Sequence, residues 1–171
     1  MSRINVKLDA LEAMLYFWKA TSEKEKVGEA YIADITQFDE MKPIYTENFT
    51  PEVAQKVLSA ISNREILNTT SKTARKFWNN NMWMMEDLEY TDMMVAPLKT
   101  LNLDDMAQDL GEAQAVDVVF VPGHHDVAYV SPGKVTINFF RVKPDLMDPD
   151  VVTIEDIPLK KYITEKIREA L

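Results

Sequence analysis

The sequence predicts an α+β fold that is mainly helical, with about five to six helices around a long central helix, a small antiparallel sheet near the C-terminus and a C-terminal helix. Apolar residues recur at helical spacing as far as about residue 110. The region 115–142 changes to β-branched and alternating runs, and helical spacing returns at 158–171. Because helices and strands are segregated along the chain, the pattern favours α+β over a βαβ arrangement.

The first three helices are predicted from apolar stripes and capping residues. One helix should span 7–21, and its buried stripe is Leu8, Leu11, Leu15 and Trp18. The capping-box pattern at 22–25 predicts a second helix that begins at Ser22 and ends before Pro43. Thr50 followed by Pro51 predicts the start of a third helix.

Residues 69–96 are predicted to form one long helix, about 40 Å in length, at the centre of the fold. The polar run 68–71 supplies its N-terminal cap, and the helix should stop at or before Pro97. A short helix should follow, with Asn102 as its cap and Gly111 as its terminator.

Three strands are predicted at 115–121, 127–130 and 134–142, arranged as an antiparallel meander. Pro132 and Gly133 predict a type II turn between the last two. A fourth, shorter strand is predicted at 151–154, and a helix at 158–171 closes the chain. We expect a single domain over 1–171, with a helical subdomain at 1–111 and a sheet-plus-helix subdomain at 112–171.

Composition narrows the function classes. The sequence is 46% hydrophobic and 27% charged, which is typical of a soluble globular protein, and we expect it to be cytoplasmic. The acidic net charge of −9 argues against nucleic acid or a membrane as partner. The lack of cysteine excludes disulfides and thiolate metal sites, and the four isolated glycines form no phosphate-binding loop. No cofactor is therefore expected, with a divalent metal as the one alternative left open.

Carboxylates in the long helix are the first candidates for chemistry. Glu89 and Asp92 are one turn apart on its apolar side, and Glu86 lies close by. Such a pair can bind a divalent cation or act as an acid and a base. Carboxylates on helices are more often solvated or ion-paired, and this is the preferred interpretation.

The only two histidines, His124 and His125, are followed by Asp126 in a predicted loop. If this loop folded back on the long helix, a metal or catalytic site would form there. The catalytic candidates are then Glu89, Asp92, His124 and His125, and the metal-ligand candidates are Glu86, Glu89, Asp92, His124, His125 and Asp126. A tight turn with exposed histidines is the simpler expectation.

The long helix also carries many aromatic and methionine residues, with Trp83, Tyr90 and Met94 on one side. A helix with apolar residues around most of its circumference is packed among neighbours or presents one side to a partner. We favour a non-catalytic protein-interaction or self-associating module, such as a homodimer, that binds through Trp78, Trp83, Tyr90 and Met94 or through a sheet edge. The alternatives are a metal-assisted hydrolase and a small-ligand pocket lined by Trp78, Trp83 and methionines.

Overall fold

The computed structural model describes residues 3–107, 115–148 and 150–171, and it confirms the α+β class. The α-helices are α1 (Asp9–Ser22), α2 (Glu29–Gln37), α3 (Pro51–Ser62), α4 (Lys72–Glu86), α5 (Leu88–Lys99), α6 (Asp104–Ala107) and α7 (Leu159–Ala170), with 3-10 helices at Asp39–Ile44 and Phe139–Arg141. The strands are β1 (Ile4–Lys7), β2 (Val116–Val121), β3 (Ala128–Ser131), β4 (Lys134–Asn138), β5 (Lys143–Pro144), β6 (Val152–Ile154) and β7 (Ile157–Pro158).

The main sheet is mixed, with strand order β1-β2-β4-β3, rather than the predicted antiparallel meander. β2 pairs in parallel with β1 and with β4, and only β3 runs antiparallel. The physical reason is burial. Residues 118–121 of β2 are all buried, so both of its faces and both of its edges need neighbours, whereas the more exposed β3 tolerates an edge position. β1, which lies directly before the first helix, was not predicted.

The predicted hairpin between β3 and β4 is confirmed, with Ser131 opposite Lys134 and Gly133 at a φ of +74°. β5, β6 and β7 form a second, antiparallel sheet. Its last turn consists of Glu155 and Asp156, both in the left-handed region, as in a type I′ hairpin turn. The predicted C-terminal helix is α7, which packs on both sheets.

The prediction of one unbroken helix over 69–96 was wrong, because the chain breaks at Asp87. Asp87 leaves the helical conformation, and its carboxylate accepts a hydrogen bond from the Tyr90 N–H at 3.0 Å, which caps α5. The Thr91 hydroxyl lies 3.0 Å from the Met84 carbonyl, which the break leaves without its helical partner. Pro97 does not end α5, because a proline in the last turn removes only one helical hydrogen bond.

The other helix ends match the predictions in part. Ser71 and Thr50 cap α4 and α3 as expected. Ser22, by contrast, belongs to the end of α1, where its hydroxyl donates to the Lys19 carbonyl, and α2 begins after Gly28. Asn102 accepts a hydrogen bond from the Asp104 N–H before α6. Gly111, the expected terminator of this helix, and the expected subdomain boundary at 111/112 lie outside the described residues.

Lys24 ends α1 in a conformation that favours glycine. Its φ is +66°, and the Glu25 N–H donates to the Ala20 carbonyl at 2.9 Å, the pattern of a Schellman motif. A side chain in this conformation costs about 1 kcal/mol.

We therefore predict that Lys24→Gly raises the free energy of unfolding by about 0.5–1 kcal/mol in urea denaturation. Lys19→Gly is the matched control. Lys19 is an exposed residue within α1, and the same change there should cost about 1 kcal/mol. A loss of stability in Lys24→Gly equal to that in Lys19→Gly would contradict the assignment of Lys24 to the left-handed position of a Schellman motif.

Candidate functional site

A groove runs along the exposed side of α4, with Trp83 near its middle; we call it the α4 groove. It consists of three adjoining depressions of about 310, 210 and 390 Å³. The first and second share Lys76, whereas the second and third share Trp83, Met84, Phe140 and Arg141. One wall is α4; along the second and third depressions the opposite wall is the 139–143 segment, joined in the third by the β6–β7 turn.

A buried hydrogen bond holds the two walls in place. The Trp18 indole N–H donates to the Asn81 Oδ1 at 2.9 Å, and the Asn81 Nδ2 donates to the Phe77 carbonyl. The Trp18 ring also stacks on Phe139, with 5.7 Å between ring centroids, and lies 5.9 Å from Phe140. Trp18 therefore contacts both α4 and the segment that forms the opposite wall.

The loop at 122–126 borders the first depression through His125, and two asparagines fix its position. The Asn80 Nδ2 lies 3.3 Å from the Gly123 carbonyl, and the Asn138 Nδ2 donates to the carbonyls of His124 and Asp126 at 3.2 and 3.1 Å. Only glycine fits at position 123, because a Cβ there would lie 2.7 Å from the Asn138 Cγ. Two of the three consecutive asparagines at 79–81 therefore have different roles: Asn81 binds Trp18 and Asn80 binds the loop.

His124 is a structural residue in this geometry. Its side chain is buried, its Nε2 lies 2.7 Å from the Ile44 carbonyl oxygen, and its Nδ1 accepts the His125 N–H at 2.8 Å. The neutral ring with its proton on Nε2 satisfies both contacts. Burial lowers the pKa of His124 below its ordinary value. With both nitrogens engaged, the ring has no free position for a metal or a substrate.

His125 is exposed and lies at the basic end of the groove. It lines the first depression together with Lys72, Arg75 and Lys76. Its carbonyl accepts a hydrogen bond of 2.6 Å from the guanidinium of Arg141, the residue that lines the other two depressions.

The opposite end of the groove carries carboxylates. The third depression is lined by Glu155 and Asp156 from the β6–β7 turn, along with Lys143. The Glu155 carboxylate lies 3.6 Å from the Arg141 guanidinium, and both side chains are partly exposed. The third depression therefore combines two carboxylates with the cations Arg141 and Lys143, whereas the first depression is lined by cations without a carboxylate.

The cations come from two parts of the sequence that lack acidic residues. No aspartate or glutamate occurs between Glu65 and Glu86, and none occurs between Asp126 and Asp145. The cations in these two intervals are Lys72, Arg75, Lys76, Lys134, Arg141 and Lys143. The fold places most of them along one groove of a chain whose net charge is −9. This segregation of cations from acidic residues along the sequence is a signal of the groove. The hydrophobic periodicity does not show it.

The predicted catalytic and metal-ligating residues are not brought together. Glu86, Glu89 and Asp92 are all exposed. The break at Asp87 shifts the phase of α5, which carries Glu89 and Asp92, relative to α4. Within residues 3–107, 115–148 and 150–171, no three His, Asp or Glu side chains group closely enough to hold a metal ion. His125 and Asp126 are exposed, as expected of a turn, whereas His124 is buried.

Three of the four predicted binding residues do converge. Trp83, Tyr90 and Met94 all line the third depression, although Met94 is itself buried. Trp78 is half-buried and packs against the core. Sequence reasoning missed Phe140 and Arg141, which form the opposite wall, because their contact with α4 is a tertiary one.

A larger depression of about 820 Å³ lies between α5, β6 and the start of α7. Its lining is mainly aliphatic and includes Met93, Pro97 and Val152. None of the residues predicted as a site lines it, and the α4 groove is therefore the candidate site.

Asn81→Ala should lower the free energy of unfolding by about 1–3 kcal/mol, because it leaves the buried Trp18 N–H without an acceptor. Asn79→Ala is the control. Asn79 is exposed on the same helix, and alanine there should be neutral or slightly stabilising. Thermal or urea denaturation of both variants provides the measurement, and equal stabilities would contradict the role given to Asn81.

Stability should also fall as the pH falls below about 6.5, because the unfolded chain binds a proton there while folded His124 stays neutral. The stabilisation that His124 contributes is complete above that pH. It declines as the pH falls toward the lowered pKa of His124 in the folded protein. His124→Gln should remove this component between about pH 5.5 and 7, whereas His125→Gln should retain it. Urea denaturation across this range tests the prediction, and an equal decline in both variants would contradict it.

Two further findings concern membrane-spanning helices and the similarity of the chain to known proteins. In the part of the chain that the structure describes, none of the helices combines the length and the apolar character that crossing a bilayer requires. Comparison of the chain with protein-family models, with curated proteins and with solved structures found no match. The function must therefore be inferred from the geometry of the α4 groove.

Proposed function

We propose that the protein is a non-catalytic interaction module that binds a protein partner through the α4 groove. The observation that carries the proposal is Trp83, which is 71% exposed although it lies in a concave surface. An indole left in water at the centre of a groove is an anchor for a partner, because its burial on binding contributes a large apolar area.

The surroundings of Trp83 resemble the centre of a protein interface. Phe140 and Met84 supply apolar contact area, and Arg141 supplies a planar guanidinium that is already positioned by its bond to the His125 carbonyl. Aromatic residues, methionine and arginine are the residue types enriched in such interfaces. Charged side chains lie at the two ends, as in a polar rim.

The two alternative functions receive less support from the same geometry. His124 has both ring nitrogens engaged, and Glu89 and Asp92 are exposed on α5, so the hydrolase hypothesis has no assembled set of groups among the described residues. Small ligands are usually held in pockets that bury most of their surface, whereas the α4 groove is open along its length.

Trp83→Ala should weaken partner binding by at least about tenfold without loss of stability, because the side chain is mostly exposed in the free protein. The test is selection of binders from a random peptide library displayed on phage, followed by affinity measurement on purified variants. Met147→Ala is the matched control, since Met147 is 93% exposed but does not line the groove. Peptides that bind wild type and Trp83→Ala equally, or a selection that yields no binder, would contradict the proposal.

A further inference from the structure

We propose that the α4 groove binds an acidic segment of a partner protein, with an apolar side chain of that segment on Trp83 and its carboxylates in the first depression. This inference rests on the proposed function and names the chemistry of the partner. It is drawn from charge complementarity, because the described lining of the groove has more cations than carboxylates although the chain has a net charge of −9.

The side chains that line the first depression are hydrogen-bond donors. The described lining residues supply three hydroxyls, three cations, an amide and an imidazole, and none of them is a carboxylate. The Thr69 Oγ1 accepts the Ser71 N–H, and the Ser71 Oγ accepts the Ala74 N–H, both at 3.1 Å. Each hydroxyl therefore keeps its own proton available for an acceptor, and an ionised carboxylate is an acceptor-only group.

The cations of the first depression have no ionic partner within the described part of the chain. No ion pair there joins Lys72, Arg75 or Lys76 to a carboxylate. In the third depression, by contrast, the Glu155 carboxylate lies 3.6 Å from the Arg141 guanidinium. The uncompensated positive charge of the groove is therefore concentrated in the first depression.

One face of α4 joins these cations to the apolar centre of the groove. Lys72, Lys76, Asn79 and Trp83 are spaced by four, three and four residues, which places them in one row along the helix. The row is about 16 Å long at 1.5 Å per residue, a distance that an extended peptide covers in about five residues. From Arg75 to Trp83 the same arithmetic gives about 12 Å and about three to four peptide residues.

The local distribution of charge favours a peptide over a nucleic acid. A single-stranded nucleic acid carries a phosphate at every nucleotide and needs cations along the whole groove. Glu155 and Asp156 in the third depression oppose such a ligand, whereas a peptide can carry its carboxylates at one end only. Charges more than about 8 Å apart are largely screened at physiological salt, so the peptide responds to the nearby cations rather than to the net charge of the chain.

The experiment selects peptides from a random phage-displayed library on wild type and on Arg75→Glu/Lys76→Glu. The control is Lys161→Glu/Arg168→Glu, which makes the same change in net charge at two exposed positions of α7 that do not line the groove. Wild type and the control should select peptides with aspartate or glutamate about three to five residues from an apolar residue. The charge-reversed variant should select lysine or arginine there.

Affinities of the peptides selected on wild type complete the test, measured by isothermal titration calorimetry at physiological salt. Arg75→Glu/Lys76→Glu should bind them at least about tenfold more weakly than wild type and the control do. Replacing the peptide carboxylates by amides should weaken binding to wild type but not to the charge-reversed variant, since the partner charges are then already lost. Binding of its own selected peptides shows that this variant is folded, and Arg75→Gln/Lys76→Gln provides a milder second variant with a smaller expected loss.

Selected peptides that are not enriched in acidic residues would overturn the inference, as would acidic peptides that bind both groove variants as tightly as wild type. Tighter binding of a twelve-nucleotide oligothymidylate than of any selected peptide would also overturn it. Binding of library peptides that depends on Trp83 would in the first two cases leave the proposed function standing with a partner of different chemistry. A selection without Trp83-dependent binders would overturn both.

Discussion

The hydrogen bond from the Trp18 indole to the Asn81 side chain is the interaction on which the candidate site depends. Trp18 belongs to α1, Asn81 to α4, and the face of the Trp18 ring stacks on Phe139. A buried polar pair of this kind is costly to leave incomplete, so it fixes the position of α4 against the 139–143 segment. The α4 groove, and the exposure of Trp83 within it, follow from the position of α4 relative to the 139–143 segment.

The same groove shows how an acidic protein can present a basic surface. Acidic residues outnumber basic ones in the chain as a whole, but the intervals 66–85 and 127–144, which supply α4 and the 139–143 segment, contain none of them. Tertiary structure then places the Glu155–Asp156 turn at the far end, which gives the groove a direction.

Much of the fold could be predicted from the sequence, because local rules decide it. Thr50, Ser71 and the Pro132–Gly133 turn acted as predicted, since caps and turns depend on a few adjacent residues. The parallel pairing of β1 with β2 could not be predicted, because it joins residues more than a hundred positions apart. For the site, Trp83, Tyr90 and Met94 line one depression, although Trp83 lies on α4, the other two lie on α5, and Met94 is buried. The burial of His124 and the approach of Arg141 depend on tertiary contacts that no local pattern encodes.

The most direct test is whether Trp83 becomes inaccessible when the protein associates. In a Trp78→Phe variant the remaining indoles are Trp83 and Trp18, and Trp18 is fully buried, so acrylamide quenching of fluorescence reports on Trp83. We predict that the quenching constant falls toward that of a buried indole as a selected peptide saturates the protein. A quenching constant that stays unchanged while the mass of the complex increases would contradict the account.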